Sequence, residues 1–170
     1  MFKEEKIKQN NKGFSLVELI IVVAILAILI GILAPQYVKY VEKTKKAADV
    51  SNMQEIIRVI QNYEADGLHQ LKATKYEIII GWKKGGTTDG TAFNELSKDG
   101  TQVEHDEELR EELNQVFPNW MSLLTKSKKW GNQGKPSAIR AIIEITSDGS
   151  MVMSYTPQKF AEYMAGEYKQ

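Results

Sequence analysis

The chain has 170 residues, with Lys+Arg and Asp+Glu both at 22 and no cysteine. That length holds one domain plus an appendage, and the balanced charge leaves no footprint of a dedicated nucleic-acid or acidic-substrate binder. Without cysteine there are no disulfides, thiolate metal sites or thiol nucleophiles, although that absence does not fix a compartment.

The first segment, residues 1–13, is polar and basic: Lys3, Lys6, Lys8 and Lys12 stand against Glu4 and Glu5. It runs into Gly13 and then into an apolar stretch over residues 14–38. There Glu18 is the only charge before Lys39. The uncharged run between them, if helical, spans roughly 30 Å, the thickness of a bilayer's hydrocarbon core. Its residues are Leu, Ile, Val and Ala on every side, so the whole surface of the helix must be covered by lipid or by other helices. A secretory signal places a shorter apolar region before its cleavage site, so the order here does not fit one. Lysines flank the run on both sides and do not settle its orientation. A carboxylate near mid-membrane costs about 2.5–3.5 kcal/mol even on a lenient scale, so Glu18 needs a partner. Gly31 and Pro35 stand four apart, and the missing amide of Pro35 leaves the Gly31 carbonyl unpaired, which predicts a bend or local melting in that turn.

Gly13-Phe14-Ser15-Leu16-Val17-Glu18, followed by the apolar run, resembles the processing signal of type IV prepilins, with their class III leader peptide. The resemblance rests on a short basic leader, glycine before the cut, phenylalanine after it, and an acid on the fifth residue beyond it. It implies cleavage after Gly13 by a membrane prepilin peptidase and N-methylation of Phe14. Glycine suits such a site because a chain without Cβ permits close approach. Cleavage creates a charged amine at Phe14, one helical turn from Glu18 and on the same face. Glu18 then neutralises its own terminus or, as the family implies, that of a neighbouring subunit; such a pair is strong when complete and costly when broken.

Residues 39–66 continue the helix as an amphipathic half to Asp66-Gly67, where glycine supplies a left-handed cap. Met53, Ile56, Ile57, Ile60 and Tyr63 recur at 3–4 spacing on one face, and Lys, Asp, Gln and Arg occupy the other. Residues 67–170 then form a globular head. "YEIIIGW" (76–82) reads as a strand. "EHDEELREELNQVF" (104–117) reads as a short helix with its acids toward the N-terminus. "AIRAIIEIT" (138–146) and "MVMSYT" (151–156) flank an Asp148-Gly149 turn and predict a hairpin. Thr156-Pro157 caps a terminal helix to about Gly166. The fold class is α+β: a long N-terminal helix whose second half packs on a small antiparallel sheet, as in pilins. Many pilins staple a C-terminal loop with a disulfide. This chain must hold its loops by packing, and the absence of a disulfide is compatible with a resemblance to the cysteine-free, Gram-positive type of major pilin.

Enzyme chemistry finds little support. His69 and His105 are the only imidazoles. "EHDEEL" around His105 reads as a solvated helix start rather than a metal site. "GWKKGGTT" (81–88) has Thr87 where a phosphate loop needs lysine. The Asp-Gly pairs at 66, 89, 99 and 148 read as turns rather than calcium ligands. No catalytic residue, metal or cofactor is expected. Lys126, Lys128, Lys129, Trp130 and Lys135, with Trp82, Lys83 and Lys84, form the one nucleic-acid candidate, basic residues around an exposed aromatic. A solvated loop or a contact between filament subunits explains them more simply. The resemblance therefore implies a major pilin, polymerised with its own copies. Its partners would be the prepilin peptidase, an assembly ATPase and a platform membrane protein. It would lie in the cytoplasmic membrane as a single-pass protein before assembly, then on the bacterial surface as a filament for adhesion, aggregation, motility or biofilm formation. A minor pilin, or a pseudopilin of a type II secretion or DNA-uptake machine, shares the same N-terminus and is the alternative.

Overall fold

The structure, a computed structural model, describes residues 13–66, 71, 73–83 and 91–166. The basic leader up to Lys12, the cap glycine Gly67, His69, and residues 84–90 of the glycine-rich loop, with Lys84, Thr87 and Asp89, lie outside the described residues. Two compact units divide the chain, Met1–Val41 and Glu42–Gln170.

The first helix, α1 (Leu16–Ala65), begins in the first unit and supplies the opening segment of the second. In the first unit its apolar side chains are exposed in unbroken succession, Leu19, Ile20, Ile21, Val22 and Val23 among them. It is the one helix, among the described residues, long and apolar enough to cross a membrane. Gly31 and Pro35 both lie inside the continuous helix.

In the second unit the character of α1 changes to amphipathic, and Met53, Ile56, Ile57, Val59, Ile60 and Tyr63 are buried. They meet a four-stranded antiparallel sheet of β1 (Lys75–Ile80), β2 (Ala92–Leu96), β3 (Ile139–Ile145) and β4 (Met151–Thr156), in the order β2-β1-β3-β4. Between β2 and β3 runs α2 (Glu107–Val116), and α3 (Gln158–Met164) follows β4. Register sets Ile78 against Phe93 on one side and Ala141 on the other, and alternate residues of β1 and β3 point into the core. Phe93 stacks on Tyr76 at 5.7 Å and takes the edge of Trp120 at 5.5 Å. The predicted hairpin is present: Gly149 sits at φ 83°, a conformation glycine adopts without Cβ strain, and Thr146 and Ser150 pair across the turn at 2.9 Å.

Strand β2 adds to the expected elements. Pro157 occupies the cap position of α3, as expected, and the helix proper runs from Gln158 to Met164. On the polar face of α1, Lys46 and Asp49 are buried.

Candidate functional site

At the N-terminal end of the described residues, Gly13, Phe14 and Ser15 precede the helix. A Cβ added to Gly13 would meet nothing within 4 Å, and Phe14 is 93% exposed. Both groups expected at a processing site are thus reachable. Ser15 occupies the cap position: its Oγ accepts from the Val17 amide at 3.3 Å, and its carbonyl from the Leu19 amide at 3.2 Å. Its own amide donates to Glu18 Oε2 at 2.9 Å. This reciprocal arrangement is a capping box, in which a residue three positions into the helix reaches back to the cap residue's amide. An acid in the first turn also complements the helix dipole. Glu18 therefore has a partner within its own chain. The sequence carries the signal for it, Ser15-x-x-Glu18 ahead of an apolar run.

The second constellation lies on α1 within the unit Glu42–Gln170. Asp49 is 1% exposed, and its carboxylate accepts from the amides of Lys126 at 2.6 Å and Ser127 at 2.9 Å, and from Trp130 Nε1 at 2.8 Å. Burial pushes the Asp49 carboxyl above the ordinary aspartate range, while the three donors and the nearby Lys126 charge pull it back. Two turns earlier on α1, Glu42 accepts from the Ser127 hydroxyl. Between them Lys46 places its ammonium 5.0 Å from the Trp130 ring centroid and 5.2 Å from that of Tyr163. Cations are attracted to aromatic faces at such distances. Trp130 also takes edge contacts from Phe160 and Tyr163 of α3 at 5.2 and 5.4 Å. Packing and hydrogen bonds thus fasten the loop in this cysteine-free head.

That geometry corrects the nucleic-acid reading. Trp130 is fully buried, so it offers no face for a base to stack on. Lys126, Lys128, Lys129 and Lys135 remain exposed around it.

His105 stands exposed just before the cap of α2, as expected of a solvated helix start, and it also has partners. Its Nδ1 lies 2.7 Å from Oε2 of the buried Glu95 and 2.9 Å from Arg110 Nη2. Arg110 Nε reaches the other oxygen of Glu95 at 3.3 Å. Asp106, also buried, caps α2 through the Leu109 amide and accepts from the Tyr63 hydroxyl at 3.3 Å. The cluster ties α2 to β2 and to α1. Among the described residues no group of three or more His, Asp or Glu is arranged to hold a metal ion. Asp99-Gly100 and Asp148-Gly149 are turns, as expected: each carboxylate accepts from hydroxyls and an amide of its own loop, which lowers both, Asp99 to about 2.

Comparison with known proteins adds a separate line. The family model for the prokaryotic N-terminal methylation motif matches residues 8–34. Two curated relatives, both named type IV major fimbrial protein FimA of Dichelobacter nodosus, are similar to the chain. One is 35% identical over 94 residues, 55% of this chain and 56% of its own length. The other is 34% identical over 83 residues, 49% and 50% respectively. The chain spans about half the length of the curated relatives it matches. No solved structure matches it significantly.

Proposed function

We propose that the chain is a type IV pilin, cut after Gly13, methylated on the new amine of Phe14, and polymerised through α1 as the major subunit of a surface pilus. The methylation motif over residues 8–34 and the similarity to two type IV major fimbrial proteins support this reading. The observation that carries this reading is the first part of α1, apolar on every side and exposed on every side, with Glu18 as its only charge. Such a surface needs a cover, first lipid and then the equivalent helices of other subunits. Glu18 supplies the carboxylate that each newly made amine requires inside that bundle. The peptidase, assembly ATPase and platform protein enter through the same reading. So do a membrane stage and a final place on the cell surface. The role is structural, and no chemistry of this chain's own is invoked.

The test is the mass of the N-terminal peptide from sheared surface filaments. It should begin at N-methylated Phe14, and retention of Met1 or Phe2 would contradict the proposal. Gly13→Leu should leave full-length precursor in the membrane. A Cβ at position 13 meets nothing within 4 Å among the described residues, so the expected effect falls on the peptidase's approach rather than on the fold.

A further inference from the structure

Charge in the unit Glu42–Gln170 is sorted toward the two ends of one helix segment. From Leu113 to Ile143 the sequence holds no acidic residue. The exposed lysines Lys126, Lys128 and Lys129 ride on the loop that Asp49 and Glu42 fasten to the beginning of this segment. Both of those acids turn inward onto the loop, while Lys43 and Lys45 of α1 stay exposed beside them. The other end is acidic. Tyr63 bonds Asp106 and Glu108 at 3.3 and 3.4 Å, which sets the start of α2 against the end of α1. There Glu104, Glu107, Glu111 and Glu112 are exposed. The one base of α2, Arg110, is engaged with Glu95. Asp49 and Tyr63 are separated by about 21 Å along the axis, at 1.5 Å per residue.

We propose that this sorting is a contact between copies: the lysine loop of one head meets the acidic face of α2 on a second copy of this chain. The inference rests on the reading that the chain polymerises through α1. Copies that polymerise through equivalent helices repeat by a screw operation, rotation with translation, and not by a two-fold axis. Within one head the basic and acidic ends stand on the order of 20 Å apart along this helix segment, so they are two distinct surfaces that a repeating operation can bring together between copies. Such a contact is heterologous and does not close on itself, so it propagates into an open filament. Each exposed ion pair is weak and screened by salt. Repeated at every subunit, the pairs set the register of the heads while the apolar helices supply the cohesion.

The chain has no cysteine, so a pair can be introduced cleanly. Sheared filaments of full-length Lys128→Cys/Glu111→Cys, oxidised and run without reductant, should give a ladder of covalent multimers that neither single variant gives. Filaments that form without a ladder overturn the pairing and leave the pilin reading standing. A parent chain that forms no filaments overturns both. Reversing one side, with Glu107→Lys and Glu111→Lys, should lower filament yield several-fold at unchanged processed subunit. Adding Lys126→Glu, Lys128→Glu and Lys129→Glu to that chain should restore the yield. Unchanged yield after the first step, or no restoration after the second, also overturns the pairing.

Discussion

Asp49 takes three donors at once: two are backbone amides and the third is an indole fixed by its own packing. Asp49→Ala would strand all three, and each buried unsatisfied group costs about 1–3 kcal/mol. The variant should melt markedly lower than the parent in detergent, with loss of the near-ultraviolet signal of Trp130; an unchanged melting curve would show that the loop is held elsewhere. The pH dependence has a definite sign. Because the folded carboxyl is raised above its ordinary value of 3.8, the folded state holds its proton more tightly than the unfolded state. This group's contribution is therefore fullest below 3.8 and declines as pH rises through the folded value, a slope that Asp49→Ala removes. Asp99 runs the other way, stabilising above its ordinary value and losing that effect as pH falls toward about 2. None of this was legible at residue 49. The sequence places Asp49 on a polar face, but only the fold reveals that a loop 77 positions away lies on top of it.

Elements with a strong hydrophobic period are legible in the sequence, because period depends on neighbours that the sequence displays. Met53 to Tyr63 is the clearest case, and the β3–β4 hairpin around Asp148-Gly149 is another. Strand β2 fails the same test. "AFNEL" carries Asn94 and Glu95, and the inward position of its second polar residue is a charge. Glu95 is tolerated there because Arg110 and His105 meet it, and that partnership is invisible until α2 is packed. For the apolar face the expectation is direct. Ile57 is nearly fully buried, and loss of such a side chain removes about 1.5–3 kcal/mol of burial before the cost of an unpaired charge is added. Ile57→Asp should abolish the cooperative unfolding transition of the head. Arg58→Asp, on the exposed side next to it, should shift stability by no more than about 0.5 kcal/mol. Equal melting of Ile57→Asp and the parent would show that this face does not carry the core.

On the scale of the whole molecule, one charged side chain separates two accounts of the N-terminus. Within a single chain Glu18 completes a capping box with Ser15, a role worth about 0.3–1.5 kcal/mol. In a polymer it would neutralise a buried amine, and leaving one member of such a pair alone costs about 3–5 kcal/mol. Even the lower figure suppresses each addition step by about a hundredfold or more, since 1.4 kcal/mol is a factor of ten. The capping box makes the two roles separable, because Gln serves it as well as Glu while carrying no charge. The decisive measurement is to express Glu18→Gln as the only copy and to count sheared filaments against processed subunit in the membrane. Processed subunit should accumulate with filaments all but absent, as it should for Glu18→Ala. Filaments at parental numbers in Glu18→Gln would show that Glu18 only caps its helix, and the assembly role would be lost.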